Sequence, residues 1–318
     1  MPLKISGSGM IKYYFKSLRS ERMQELENYK PGCWVYVEAP NESEIEHLVK
    51  KFDIVEGHLR DALDEDEMPR LEKEGEQSYI FVRFAYRTDD GDVSTAPLLF
   101  IFGGDIVITV SRVRLPALDA FITGKVNFAT TQRAKLILLI LQQIVEKYDN
   151  YISRSSKKIK LIRSRLRGHE ISNQDFIDFV QIEDELNEFL SSLMPTNATL
   201  RRLLLGRYVP LFAEDQDIVE DLLLNNEQSI EACNSNMQSI IHIREAYTSI
   251  ASNNLNRTIK ILTILTVLIM LPSAVYGIYG MNIDLPFQNG AWAFLGIIAF
   301  TIAIDILVII IARRQKIF

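Results

Sequence analysis

The sequence is poor in the residues that most often carry chemistry. Its 318 residues include two cysteines, Cys33 and Cys233, and four histidines. Neither cysteine belongs to a CxxC pair, which excludes a disulfide framework; both thiols are expected free or buried in a reducing compartment. His47, His58, His169 and His242 show no ligand spacing with one another, which argues against a zinc site. No glycine-rich phosphate loop precedes a helix, and no Ser/His/Asp arrangement is suggested. Nothing points to an enzyme.

Charge is missing from one long stretch. From Ile261 to Ile283 no residue is charged, a run of about 23, enough to cross ~30 Å of hydrocarbon. A second apolar run, Ala291 to Ala312, is broken by Asp305 alone. The first run lies far from the N-terminus and is no signal peptide. The two are expected to form a hairpin of transmembrane helices joined by Asn282 to Gly290. Arg257 and Lys260 precede the first span and Arg313, Arg314 and Lys316 follow the second, while the loop carries only Asp284. The positive-inside rule then places both termini in the cytoplasm of a multi-pass cell-membrane protein. The tail arginines and lysine are expected to anchor at lipid headgroups. A lone carboxylate at Asp305 is costly in a span, and Lys260 is its expected partner, with proton coupling as the alternative. Five Lys/Arg against two Asp leave residues 257–318 at +3, so residues 1–256 carry −9 of the overall −6. An acidic cytoplasmic body suits cations and not nucleic acid.

The first 115 or so residues mix strands and helices. Cys33–Glu38 reads as a strand, and Asn41 with Glu44 forms a helix-capping pair behind Pro40. Tyr79–Arg87 alternates apolar and polar, TDDGD turns, and Ala96–Phe102 returns; Gly103-Gly104 turns again into Ile106–Val110. An antiparallel meander layered with helices, α/β or α+β, follows. From about Phe128 the pattern is helical, with a basic stretch (Arg154 to Arg167) followed, after a Gly168-His169 break, by an acidic one (Asp175 to Glu188). They are expected to form an antiparallel hairpin, either charge-paired or with two independently solvated faces.

Proline and glycine are absent between Pro210 and Pro272. Helical throughout, those ~61 residues make a rod of ~90 Å that continues into the first span. Positions three and four apart along it (Asn256, Ile259, Thr263, Thr266, Met270, Ser273, Gly277) are mostly small or polar, between bulky apolar neighbours. Such a stripe serves either close helix packing or a water-lined axis enclosed by a ring of subunits. Periodicity leaves both open.

Where the first span ends, Tyr279-Gly280-Met281-Asn282 resembles the Gly-Met-Asn signature of the CorA family of divalent-cation channels. The run Asn256–Leu265 is similar to that family's entry into its first span, and Asp61–Phe84 looks like its N-terminal-domain segment. Two C-terminal spans, a long stalk helix and a basic tail also match, so the resemblance covers nearly the whole chain. It implies a homopentameric funnel: an α+β cytoplasmic domain (antiparallel strands with helices), then a long stalk helix and two transmembrane helices. The expected divisions are residues 1–125, a helical hairpin at 126–206, the stalk at 207–257, spans at 258–281 and 291–312 around the loop 282–290, and the tail 313–318.

The same resemblance implies an outer mouth of Gly280, Met281 and Asn282 and a pore lined by Asn256, Ile259, Leu262, Thr263, Met270, Ser273 and Gly277. It implies a regulatory cation shared between Asp61 and Asp221 of neighbouring subunits. Mg²⁺ is then both cargo and regulator, with Co²⁺ or Ni²⁺ as further cargo; a proton-coupled Zn²⁺ transporter and a non-conducting sensor are the alternatives. The outer loop departs from many relatives in lacking a Glu-containing segment, having only Asp284. Mg²⁺ dehydrates reluctantly, so a ring of neutral carboxamides at Asn282 suits recognition of the ion with its waters kept.

Overall fold

The computed structural model describes residues 9–20, 23–116, 118–124, 126–168, 172–283, 285–286, 290 and 292–314. Expectations at His169, Asp284 and Lys316 lie outside them, as do residues 287–289 of the loop 282–290. The chain divides into two units, at Ile241 and His242.

In the first unit, strands β1 (Met10–Phe15), β2 (Gln24–Leu26), β3 (Trp34–Glu38), β4 (Arg70–Glu74), β5 (Gln77–Arg87), β6 (Val93–Gly103) and β7 (Ile106–Ser111) form one sheet, ordered β2-β1-β3-β7-β6-β5-β4. The expected meander is present: Ile80 pairs with Phe100 and Phe102 with Val107, all antiparallel. Gly91 and Gly104 take positive φ in its two turns. The expectation of purely antiparallel strands needs one correction. β3 and β7 are parallel neighbours, Val35 opposite Ile108, because the chain leaves β3 through helices and returns to it only after the meander.

The sheet is covered on both faces, so its central strands are buried nearly end to end rather than alternating. One face packs on α1 (Glu42–Phe52) and α2 (Glu56–Asp61) through Val35, Phe81, Leu99, Ile108, Leu48 and Leu59. Asn41 caps α1 as its sequence indicates: its side chain accepts from the Glu44 N–H at 3.0 Å, and the Glu44 carboxylate accepts from the Asn41 N–H at 2.9 Å. After the short α3 (Leu118–Ile122) come α4 (Arg133–Gly168) and α5 (Asn173–Leu204), which dock on the other face. The Tyr148 hydroxyl donates to the Arg83 carbonyl at 3.2 Å, and the Glu188 carboxylate accepts from the Thr95 N–H at 2.5 Å and the Ser94 hydroxyl at 2.8 Å.

Charge pairing links α4 to α5. Arg165 meets Asp175 at 2.6 Å and Lys158 meets Asp178 at 3.2 Å, while Ser155 donates to Glu185 at 2.9 Å. The pairs step away from the turn in register, as an antiparallel hairpin requires. Helix α6 (Ala213–Tyr279) opens with the Asp215 carboxylate accepting from the Phe212 N–H at 3.1 Å. It packs into the first unit through Asn226, which donates to the Leu193 carbonyl at 2.9 Å, and through reciprocal Ser156–Asn236 bonds. Burial pushes the thiol of Cys233 on this helix up to about 12, with Glu185 adding to the effect.

The second unit holds the rest of α6 and α7 (Ala293–Arg314). Helix α6 runs past Pro272, where the missing N–H leaves the Leu268 carbonyl without its usual partner. Both helices are long and apolar enough to cross a membrane.

Candidate functional site

Beyond residue 250, the only described residues that the chain buries by itself are Ile264, Thr301 and Ala312. On this part of α6 the less exposed positions are Ile261, Ile264, Val267, Leu268, Pro272, Val275 and Tyr279, recurring mostly at three- and four-residue steps. Thr301 on α7 meets the Tyr276 hydroxyl at 3.0 Å. The stripe singled out from sequence, Ile259, Thr263, Thr266, Met270, Ser273 and Gly277, lies on the opposite side, about 175° round the helix from the covered stripe at ~100° per residue. Every one of these six is exposed, Ile259 at 51% and Met270 at 64%. Asn256, Leu262 and Gly280 are exposed too, and all three fall at the margin of this face.

Small and polar side chains on this face fold back on their own helix. Thr263, Thr266 and Ser273 each donate to the carbonyl four residues earlier, at 2.7–2.9 Å. A Cβ built at Gly277 has no neighbour within 4 Å, so nothing inside the chain requires a glycine there.

The Gly-Met-Asn tripeptide forms the exit of α6. The Gly280 N–H donates to the Tyr276 carbonyl at 2.9 Å and the Met281 N–H to the Ile278 carbonyl at 3.2 Å, tightening the last turn. The Tyr279 hydroxyl reaches forward to the Pro286 carbonyl at 3.3 Å, tying the following chain to the helix end. Asn282 stands exposed beyond this terminus. A helix carboxyl end carries partial negative charge and unpaired carbonyls, so the carboxamide sits where a cation is favoured without any formal charge.

The two residues expected to hold a regulatory cation belong to the first unit. Asp61 ends α2 and is held by Arg70 at 2.6 Å; Asp221 is exposed on α6. The acidic run around Asp61 is mostly engaged. Arg70 also binds Glu67 and Glu72, and Glu65 pairs with Arg112 at 3.0 Å. The buried Arg83 guanidinium donates to the carbonyls of Glu65 and Glu67, both at 2.8 Å, and to Thr95. Sequence reading missed this latch because Arg83 sits in an apparently alternating strand.

Lys260 does not partner Asp305: among the described residues no ion pair joins them, Lys260 is exposed, and the Asp305 Oδ1 is buried without a hydrogen bond.

A layered sheet unit followed by a continuous helix and a second apolar one, with a cation-favouring helix exit between them, is the architecture of a two-span cation transporter. The family model described as CorA-like Mg²⁺ transporter protein matches residues 30–314, and the chain belongs to that family, one of transporters rather than enzymes. The chain is 26% identical over 290 residues to the cobalt/magnesium transport protein CorA of Methanocaldococcus jannaschii, covering 89% of this chain and 90% of that protein. It is 23% identical over 304 residues to the magnesium transport protein CorA of Wolinella succinogenes, with 89% and 90% covered. Its fold is similar to the complete structure of the M. jannaschii CorA magnesium transporter, with a TM-score of 0.84 at 22% identity over 96% of this chain and 98% of that one.

Proposed function

We propose that the chain assembles as a homopentameric funnel in the cell membrane and conducts hydrated Mg²⁺, with Co²⁺ or Ni²⁺ as further cargo, into a cytoplasm that holds both its termini. The spans are residues 258–281 and 291–312, and the stripe from Asn256 to Gly277 faces the shared axis. The observation that carries this reading is the exposed small and polar face of α6, ending at the Gly280-Met281-Asn282 exit. A polar face in hydrocarbon must meet protein or water, and two helices per chain cannot enclose water alone. Asn282 carboxamides accept hydrogen bonds from the ion's waters, while Ile259, Leu262 and Met270 form apolar constrictions that close by dewetting.

Mg²⁺ also gates the assembly in this reading. A cation between Asp61 of one subunit and Asp221 of the next screens their repulsion and holds the subunits symmetric and closed. Arg70 already neutralises Asp61 in part, which makes this a weak, readily emptied site. Mg²⁺ flux into reconstituted vesicles, with internal Mg²⁺ varied, tests the proposal. Flux should run down its gradient and fall as internal Mg²⁺ rises, and Asn282→Ala should lose most of it. Full-rate flux through Asn282→Ala removes the mouth assignment, and Zn²⁺ preference with pH dependence replaces Mg²⁺ by Zn²⁺. Replacing Asp61 and Asp221 together by Ala should abolish protection of the soluble unit from proteolysis by Mg²⁺; unchanged protection removes the regulatory site.

A further inference from the structure

His58 is buried, with 7% of its surface exposed, and neither ring nitrogen has a hydrogen-bond partner. Buried polar atoms are almost always satisfied, and an exception calls for an ion, a water or a functional role. The ring is fixed from behind, packed on Tyr79 with centroids 4.1 Å apart and near Phe81 at 6.0 Å. Its open nitrogens face carboxylates: Nε2 lies 3.7 Å from Glu72 Oε2, and Nδ1 lies 4.0 Å from Asp61 Oδ2. Both distances are too long for hydrogen bonds. The Nε2–Glu72 distance is close to the spacing of two ligands around one shared ion, about 3.4 Å for tetrahedral bonds of ~2.1 Å, whereas Asp61 Oδ2 is already taken by Arg70.

The sheet supplies the rest of the site. Residues two apart on a strand share a face, so Arg70, Glu72 and Glu74 of β4 all point toward the α2 side. His58, Glu72 and Glu74 each place a ligand atom within 4.8 Å of the others. Arg70 binds the Oε1 of Glu72, leaving Oε2 turned to the imidazole; outer partners of this kind fix a ligand's orientation. β4 is the outermost strand and Glu74 is exposed, which gives an ion a path from solvent. Three carboxylates (Asp61, Glu67, Glu72) hold the one guanidinium of Arg70 and Glu74 adds a fourth negative charge nearby, so the local charge remains negative.

We propose that His58, Glu72 and Glu74 bind one borderline divalent cation, Zn²⁺ or Co²⁺, within the sheet unit of each chain. One imidazole and two carboxylates, with a water completing four-coordination, match the preference of these ions. Mg²⁺ takes oxygen ligands and keeps its waters, so it competes poorly here. The site is built inside one chain and needs neither the membrane nor a neighbouring subunit.

The test is equilibrium dialysis of the full-length, chelator-stripped protein in detergent against Zn²⁺, with Mg²⁺ in large excess. The wild type should hold about one more Zn²⁺ per chain than His58→Gln. Glu74→Gln, at an exposed strand end, keeps the fold and should weaken that Zn²⁺ by at least ~10-fold. Co²⁺ loaded instead should show ligand-field absorption that is lost in both variants. Equal Zn²⁺ stoichiometry and affinity in the wild type and Glu74→Gln overturns the site, as does displacement of the Zn²⁺ by Mg²⁺. No step measures transport, so failure here leaves the channel proposal standing, and the reverse.

Discussion

The two units treat apolar side chains in opposite ways. In the first, Trp34, Phe81, Phe100 and Leu99 vanish into a sheet covered on both faces. In the second, Leu262, Ile269, Phe294 and Ile306 stay more than half exposed on helices that bury almost nothing by themselves. Hydrophobicity is similar in kind, but its destination differs. One unit closes its own core, while the other presents a surface far larger than a chain in water leaves bare. A bilayer and further copies of the chain are what complete it under the proposed function.

The contrast predicts a graded series of effects. Phe100→Ala, at the centre of the sheet, should cost about 3–5 kcal/mol, read as lost hydrogen-exchange protection across β5, β6 and β7. A change below ~1 kcal/mol there would mean the sheet does not carry the unit's stability. Arg83→Ala removes four hydrogen bonds and should cost about 2–3 kcal/mol, with selective loss of protection at residues 64–68; a uniform loss would show that the latch is not local.

A smaller effect belongs to the tip of the α4–α5 hairpin. Burial pulls the Asp175 carboxyl up, but hydrogen bonds from Ser172 and Arg165 outweigh it and hold it below the usual carboxylate range. Its contribution is therefore complete above the ordinary value of about 3.9 and is lost as pH falls through the lower folded value. Amide protection of the first turn of α5 should fall in that acid window, and Asp175→Asn should abolish that dependence. Ser172→Ala should cost about 1 kcal/mol by the same readout.

The smallest effect on folding sharpens the comparison most. Gly277→Ala meets open space and should leave the thermal unfolding of the purified protein unchanged, while Mg²⁺ flux falls. Unchanged flux would mean that no neighbouring chain approaches this position.

Local chemistry made much of this fold legible in advance. The capping pair at Asn41, the turns around Gly91 and Gly104, and the Pro- and Gly-free rod each declare themselves within a few residues. Strand β4 did not, because Arg70-Leu71-Glu72-Lys73-Glu74 reads as a solvated charge run; only its place at the sheet edge beside α2 makes it a strand. The parallel β3–β7 pair was hidden for a related reason, since its partners lie some seventy residues apart. The His58 cluster was invisible to spacing arguments: a helix and a strand bring together side chains that no motif links. Asp305 misled in the other direction, since nearness in depth to Lys260 carried no information about which way each side chain turns around its helix.

The back-folded hydroxyls of α6 have a consequence for ionic sign. With each proton directed at the helix's own backbone, what Thr263, Thr266 and Ser273 offer outward is lone pairs alone. Under the proposed function, water around a cation points both hydrogens outward and finds receivers along such a lining, whereas water around chloride has turned one hydrogen inward and finds fewer. In that reading the lining favours hydrated cations over hydrated anions without a single fixed charge along that stretch.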